Sequence, residues 1–187
     1  MSRRVPGEVV AARELRDVHD RTLPMPAPAG LTHLQLRRFA GCPVCNLHLR
    51  SIAQRHGDIV RAGIEEVVVF HSPQDELRRH VDDAGLPFAV VADPDKRLYR
   101  ELGAESRRRG LLTPRALWAI ARGLARSTWA IIRGRERPPA LIPHGGRFGL
   151  PAEFLLDPSG RIVACKYGSD VYDQWSVDEL LAEAKAA

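Results

Sequence analysis

Two cysteines three positions apart, Cys42 and Cys45, are the residues of this chain whose types and spacing predict chemistry. A strand-like apolar run precedes them and a helix-forming stretch follows, so the pair is expected at a helix N-terminus, with Pro43 at the first helical position. There the first thiol faces backbone N–H groups without helical partners and the positive end of the helix dipole, and both favour its thiolate. Cys45 lies one turn deeper, close enough to form a disulfide. The pattern therefore predicts a redox-active dithiol.

Alternating strand and helix patterns surround the cysteines and predict an α/β arrangement. Residues 1–30 begin with a mixed, helix-compatible stretch and end in a proline-rich, extended lead-in. Three β-α pairs follow, then a long insertion, a β-hairpin and a closing helix that starts with a capping box. Ser72 is expected to cap the second helix. The predicted strands cover 31–39, 64–70, 87–92, 152–157 and 161–167, and the predicted helices cover 43–56, 72–84, 95–102, 113–133 and a segment from 176.

Several of these segments resemble one known family. They are the stretch from His33 to Cys45 with its Cys-Pro-Val-Cys turn, Val67–Ser72, Pro87–Pro94 and Asp173–Asp178. Together they resemble the peroxiredoxin-like (AhpC/TSA-related) family of the thioredoxin-like superfamily, over residues 30–185. The resemblance implies a thioredoxin-like fold, in which helices flank a central mixed sheet and a helical insertion precedes the closing β-hairpin.

The resemblance also implies roles at the dithiol. Thioredoxin-like proteins place a cis-proline before the hairpin strand, and Pro151 is expected to fill that position facing the thiols; the alternative is an ordinary trans proline that starts a strand. In the thioredoxin mode Cys42, the more exposed thiol, attacks and Cys45 resolves the mixed disulfide. Typical peroxiredoxins attack with the thiol at the second position, which is Cys45, and have threonine where this chain has Cys42. Cys42 is the expected nucleophile, and Cys45 is the alternative.

Arginines next to the cysteines are candidate supports for a thiolate. Arg37 and Arg38 are adjacent in the strand before the site, so one of them, assigned as Arg38, is expected to point towards the thiols. A zinc site is disfavoured, because no second Cys-x-x-Cys or His-x-x-x-His pair occurs. The other polar residues are expected to be structural: His48 at the surface or core edge, His33 and His71 bonded to the backbone at strand ends, and Cys165 buried in a strand.

Length and charge set limits on the organisation of the chain. Its 187 residues fit one thioredoxin-like domain over 1–187, with an N-terminal extension at 1–30 and a basic helical insertion at 104–149. No apolar run is long enough for a membrane span or a secretory signal, which predicts a cytoplasmic protein, where a disulfide is usually catalytic and transient. Nine arginines and one glutamate give residues 106–137 a charge of +8, which leaves the rest of the chain at −3 of the total +5.

The insertion contains a long helix, expected from the Thr113-Pro114 cap to Arg133, with Gly134 as its end. Helical spacing places four arginines on one line, four apolar residues opposite them and two tryptophans on a flank. These are Arg115, Arg122, Arg126 and Arg133, then Leu117, Ile120, Leu124 and Ile131, then Trp118 and Trp129. The favoured interpretation packs the apolar face on the chain's own domain or on a second copy. Contact with an anionic membrane is the next alternative, and nucleic-acid binding is disfavoured because no recognised module accompanies the charge.

Two functional hypotheses follow. The favoured one is a thiol–disulfide oxidoreductase of peroxiredoxin-like type that cycles between a dithiol and a Cys42–Cys45 disulfide. The resemblance implies a peroxide or a disulfide as its substrate, a thioredoxin- or glutathione-type donor as its reductant, and no metal or organic cofactor. The alternative is a thioredoxin-fold binding or regulatory protein that docks a partner or an anionic membrane through its arginine-striped helix. A homodimer is compatible with either hypothesis.

Overall fold

The computed structural model describes residues 2–104, 113–134, 143–146 and 149–187. Within these ranges it contains seven strands and six helices. The strands are β1 Arg13–Arg16, β2 Thr22–Met25, β3 Leu31–Leu36, β4 Ile64–Phe70, β5 Ala89–Ala92, β6 Ala152–Leu156 and β7 Ile162–Tyr167. The helices are α1 Pro43–Gln54, α2 His56–Arg61, α3 Gln74–Ala84, α4 Arg97–Glu101, α5 Pro114–Ile132 and α6 Val177–Ala186.

Five of the strands form one mixed sheet in the order β5-β4-β3-β6-β7. β3 pairs in parallel with β4, and β4 with β5, whereas β6 runs antiparallel to both β3 and β7. β4 ends in a run of five buried residues, as expected for a strand covered on both faces. This is the α/β architecture that the sequence predicts, with helices on the sheet and a hairpin of β6 and β7 at one edge.

Alternate residues of β3 separate the two faces of this sheet. Leu34 and Leu36 belong to a buried apolar cluster that also includes Met25 of β2 and Tyr99 of α4. The buried apolar residues of α1, α3, α5 and α6 form a second cluster, which contains both Cys42 and Cys45. The dithiol therefore lies on the face of the sheet that these four helices cover, just beyond the C-terminal end of β3.

The N-terminal segment forms a β-hairpin, so the prediction of a helix-compatible opening is wrong. β1 and β2 pair antiparallel. The buried Asp17 carboxylate accepts hydrogen bonds from the N–H groups of His19 and Arg21, at 2.8 and 2.9 Å, and so holds the turn between the strands. Leu23 and Met25 are buried in alternation with exposed neighbours. This alternation with a period of two is typical of a strand and not of a helix. The predicted extended, proline-containing end of the segment is confirmed.

Helix α5 begins and ends where the sequence predicts. The Thr113 hydroxyl accepts a hydrogen bond from the Ala116 N–H at 3.0 Å, and the helix ends at Ile132. Gly134 follows with a φ of +67°, a conformation that favours glycine. The side chain of Arg115 and residues 105–112, 135–142 and 147–148 of the predicted insertion lie outside the described residues.

The packed side of α5 agrees only in part with the predicted one, because Ile120 packs against the second apolar cluster as predicted but the two leucines do not. Small residues are buried, namely Ala116, Ala119, Gly123, Ser127 and Ala130. Leu117 and Leu124, which were predicted to pack, are 53% and 51% exposed. The reason is the close approach of α5 to α1, since a Cβ at Gly123 would lie 3.0 Å from the carbonyl carbon and oxygen of Pro43. Only small side chains fit that separation, so the leucines are turned outward.

Replacing Gly123 with leucine is expected to lower the free energy of unfolding by about 1–2 kcal/mol. Overpacking against Pro43 outweighs the roughly 0.8 kcal/mol gained by removing a glycine from a helix. Urea denaturation followed by circular dichroism measures the change. Ala121→Leu, on the exposed side of the same helix, is the matched control and should change stability by less than about 0.5 kcal/mol. Equal midpoints for both variants would contradict the close contact between α1 and α5.

Within the described ranges, no helix combines the length and the apolar character needed to cross a membrane. The division of the chain into one domain with an extension and an insertion stays a prediction, as does the cytoplasmic location.

Candidate active site

The dithiol lies at the junction of β3 and α1. Gly41 turns the chain with a φ of +71°, Cys42 is the N-cap residue of α1, and Pro43 occupies the first helical turn. Both thiols are free, and Cys42 and Cys45 are 0% and 2% exposed. The predicted position of the pair at a helix N-terminus is confirmed. The expectation that Cys42 is exposed is wrong, because the residues of the second apolar cluster enclose it.

Several groups favour the thiolate of Cys42. Burial raises the pKa of this thiol, but the Cys45 S–H donates to its sulfur, the positive charge of Arg38 lies beside it, and the N–H groups of Cys45 and Val44 point at it. These contacts outweigh burial and lower the pKa of Cys42 to about 6. Arg38 Nη1 lies 3.5 Å from the sulfur. At neutral pH Cys42 is therefore mostly a thiolate.

Cys45 has the opposite character. Its hydrogen bond to Cys42, then burial, then the negative charge of the Cys42 thiolate raise the pKa of Cys45 well above its ordinary value. Arg38 acts in the other direction without offsetting them. The site thus pairs one thiolate with one protonated thiol, which already donates a hydrogen bond to it.

The ends of β3 and β4 aim Arg38 at Cys42. The Arg38 carbonyl accepts a hydrogen bond from the His71 N–H at 3.1 Å, which fixes its backbone beside β4. The Ser72 hydroxyl accepts from the Ala40 N–H at 2.9 Å, in the loop just before Cys42. Ser72 was predicted to cap α3, and that prediction is wrong because its hydroxyl holds this loop instead. The expected orientation of Arg38 towards the thiols is confirmed.

His71 places a further polar atom beside Arg38. Its Nδ1–H donates to the His144 carbonyl at 3.0 Å, which confirms the predicted backbone bond. Its Nε2 is buried and has no hydrogen-bond partner among the described residues. A Cβ at Gly149 would lie 3.5 Å from this Nε2 and 3.6 Å from Arg38 Cγ. Burial, followed by the charge of Lys96, lowers the pKa of His71 to about 4, so its Nε2 is an acceptor at neutral pH. Apart from the histidine itself, no sequence pattern indicates that this atom lies beside Arg38.

A network of buried polar side chains lies on the same face of the sheet as the dithiol. Arg37 Nη2 donates to Glu153 Oε1 at 2.9 Å and to His48 Nδ1 at 3.0 Å. The second oxygen of Glu153 accepts from the Trp175 N–H at 2.5 Å, and His48 Nε2 donates to the Trp175 carbonyl at 2.8 Å. Burial, and then Arg37, lower the pKa of His48, which stays neutral. The prediction of His48 at the surface or core edge is wrong, because it joins α1 to this network.

The network continues along β3. His33 Nδ1 lies 2.9 Å from Glu66 Oε1, and the Gln35 side chain donates to Glu66 and accepts from Arg37. His33 was predicted to bond the backbone at a strand end, but it is fully buried and its Nδ1 contacts a carboxylate. The signal that identifies the network is the polar alternation of His33, Gln35 and Arg37 between apolar residues, which places all three on one face.

Pro151 follows a trans peptide bond, so the cis prediction is wrong. Among the described residues, the cis peptide bond is Met25–Pro26. The Pro151 carbonyl accepts a hydrogen bond from the Gly168 N–H at 2.9 Å, and β6 begins at the next residue. The backbone of Pro151 therefore extends the pairing of β6, and the ordinary trans isomer is compatible with this position.

Cys165 is separated from the dithiol by the sheet. It packs against the apolar cluster of the opposite face, and its sulfur lies 3.6 Å from the Arg4 carbonyl. It is half-buried, in agreement with the structural role predicted for it. Within the described ranges, no three or more His, Cys, Asp or Glu side chains are grouped so that they could hold a metal ion.

Replacing Arg38 with methionine is expected to raise the pKa of Cys42 by about 1–3 pH units, because the variant lacks the positive charge next to the sulfur. The ultraviolet absorbance of the thiolate, followed against pH, should show half-titration at about pH 6 in the original chain. The other two thiols titrate higher, since the pKa values of both Cys45 and Cys165 are raised. The exposed Arg16→Met variant is the control and should titrate like the original. The same midpoint in the Arg38→Met variant would contradict this role.

Comparison with protein families identifies this chain. A family model described as AhpC/TSA antioxidant enzyme matches residues 51–170, which is more than half of the 187 residues. The chain belongs to the AhpC/TSA antioxidant enzyme family. This membership confirms the resemblance and makes the chain an oxidoreductase of the thiol-dependent, peroxidase-like class. The matched residues begin after Cys45, so the roles of the two cysteines rest on the geometry described above.

Solved structures of peroxiredoxins and related proteins share the fold. Peroxidoxin BcpB from Mycobacterium tuberculosis is 13% identical, with a TM-score of 0.67 and 97% of each chain covered. Xanthomonas campestris peroxiredoxin Q is 16% identical, with a TM-score of 0.65 and 97% of each chain covered. A putative thiol:disulfide interchange protein DsbE from Chlorobium tepidum is 12% identical, with a TM-score of 0.60 over 96% of this chain and 97% of that one. These matches confirm the thioredoxin-like fold. A search of curated proteins found no match.

Proposed function

We propose that this protein reduces a peroxide with its two cysteines and cycles between the dithiol and a Cys42–Cys45 disulfide. The observation that carries the proposal is the buried pair of a thiolate and a protonated thiol hydrogen-bonded to it. Membership of an antioxidant enzyme family supports the reaction class. Arg38 supports it further, since a cation next to the sulfur also stabilises negative charge that develops on a peroxide oxygen.

The proposed reaction has two steps on the protein. The Cys42 thiolate attacks one peroxide oxygen, so that an S–O bond forms, the O–O bond breaks and the released alkoxide takes a proton from solvent. The sulfur of Cys45 then attacks the Cys42 sulfenic acid; an S–S bond forms, the S–O bond breaks, and hydroxide leaves as water with the Cys45 proton. A thioredoxin- or glutathione-type donor then returns two electrons and two protons, which restores both thiols.

Burial of Cys42 favours a small oxidant. The side chain is enclosed, so a protein disulfide cannot reach its sulfur in this state, whereas the terminal oxygen of a hydroperoxide needs little space. A cavity of about 30 Å³ borders the preceding loop at Ala40 and Gly41, which is room for about one water-sized molecule. Reduction by a protein donor therefore requires local opening around the N-terminus of α1.

Peptide mapping by mass spectrometry tests this proposal. The reduced protein is treated with an equimolar amount of hydrogen peroxide or, in parallel, of oxidised glutathione. We expect hydrogen peroxide to produce the Cys42–Cys45 disulfide faster than oxidised glutathione does, and a dithiol to reverse it, while Cys165 stays free as the internal control. Free thiols at both positions after peroxide would overturn the proposed cycle. Faster oxidation by glutathione disulfide would overturn the choice of a peroxide as substrate.

A further inference from the structure

Large apolar side chains are concentrated on the outward side of α5. Among the described residues, five of the eight exposed large apolar side chains belong to this one helix. They are Leu117, Trp118, Leu124, Trp129 and Ile132, each with at least 50% of its surface exposed, and together we call them the α5 outer face. Single exposed apolar residues are ordinary on a protein surface, but a contiguous group marks an interaction site.

Helix geometry makes this face continuous and borders it with positive charge. The small residues of α5 point towards α1, and at about 100° per residue the five outer residues occupy the opposite arc. Arginines line one edge of that arc. The Arg122 guanidinium lies 5.1 Å from the ring centre of Trp118, and that of Arg133 lies 3.7 Å from the ring centre of Trp129. Each tryptophan on this edge is therefore paired with a cation that reaches the same surface.

The charge on this helix has one sign. Residues 113–134 contain no aspartate or glutamate, and the wider segment 106–137 carries +8. A second copy that packed through the same face would place these arginines against a helix that offers them no carboxylate. An anionic phospholipid surface, in contrast, presents negative groups over its whole area. Charge complementarity therefore favours a lipid surface over self-association through this face.

We propose that the α5 outer face docks this protein on an anionic phospholipid surface. The helix lies along the surface, its tryptophans and aliphatic side chains enter the boundary between headgroups and acyl chains, and the bordering arginines reach the lipid phosphates. Its small-residue side remains packed on α1. The docking requires neither cysteine, so it extends beyond peroxide reduction and does not depend on it.

Co-sedimentation of the full chain with lipid vesicles tests the proposal. We expect binding to mixed phosphatidylcholine–phosphatidylserine vesicles, weaker binding as salt increases, and no binding to phosphatidylcholine alone. Tryptophan fluorescence should shift to the blue with the anionic vesicles, because Trp118 and Trp129 are exposed whereas Trp175 is already buried. The double variant Arg122→Gln, Arg133→Gln should bind about 25-fold more weakly, at about fivefold per arginine.

Two control variants test whether vesicle binding depends specifically on the α5 outer face. Val60→Ser removes an exposed apolar residue of α2 and should bind vesicles like the original. Cys42→Ser should also bind them unchanged, so failure of the peroxide proposal does not affect this one. Equal affinity for neutral and anionic vesicles, or none for either, would overturn the proposal. Sedimentation equilibrium that showed a dimer abolished by Trp129→Ser, without vesicle binding, would assign the face to a second copy.

Discussion

Serine in place of Cys42 is expected to lower peroxide-dependent oxidation of a dithiol donor by at least about a thousandfold. The hydroxyl of serine stays protonated at neutral pH, so the site keeps its shape and loses its nucleophile. In the original site the hydrogen bond to Cys42, and then burial, raise the pKa of Cys45. In the variant the serine oxygen can still accept that hydrogen bond and Cys45 stays buried, so Cys45 is not expected to replace the nucleophile. Coupled consumption of a thioredoxin-type donor measures the rate.

The Cys45→Ser variant separates the two thiols. It should still consume a single equivalent of peroxide, because the Cys42 thiolate remains, and the resulting sulfenic acid should react with a dimedone probe. It should not form the disulfide. Cys165→Ser, altered on the opposite face of the sheet, is the matched control and should turn over normally. If Cys42→Ser consumed peroxide and Cys45→Ser did not, Cys45 would be the attacking thiol, as in the peroxiredoxin mode.

The position of the dithiol could be predicted because it depends on local features. A proline directly after Cys42, a helix-forming stretch beyond Cys45 and an apolar run before both specify a strand, a turn and a helix N-terminus without any long-range information. The alternation of strands and helices predicted the sheet for the same reason. The burial of Cys42 could not be predicted this way, since it depends on residues of other elements that enclose the site.

The features that the sequence left unpredicted depend on distant partners. Glu153 lies 116 positions from Arg37 in the sequence, and no local pattern around either residue indicates that the two form an ion pair. On α5 the hydrophobic pattern pointed to Leu117 and Leu124 as the packed side, because apolar size is the usual signal of burial. At Gly123, however, α5 lies so close to α1 that only small residues fit between the two helices. The short distance between the helices, rather than hydrophobicity, therefore determines which side of α5 is packed.

Replacing Glu153 with alanine is expected to destabilise the protein by about 3–5 kcal/mol, the usual cost of breaking a buried ion pair by removing one partner. Arg37 is fully buried, and its Nε and Nη1 have no hydrogen-bond partner among the described residues. The variant would therefore leave a buried guanidinium without its carboxylate, and it would also remove the acceptor of the Trp175 N–H. Urea denaturation measures the loss.

A double variant shows whether the pair itself causes the loss. Arg37→Met combined with Glu153→Leu removes both charges and fills similar volume, so it should recover much of the stability that Glu153→Ala loses. Asp95→Ala, which breaks the exposed contact with Arg97 at 3.2 Å, is the matched control and should leave the midpoint unchanged. A Glu153→Ala midpoint equal to that control would contradict the ion pair as the source of stability, since water would then hydrate Arg37 or another carboxylate would neutralise it. We expect instead that Glu153→Ala unfolds at a much lower urea concentration than the control. The buried Arg37 on β3 is stable only while β6 supplies its carboxylate, so this ion pair is a required part of the framework beside the dithiol.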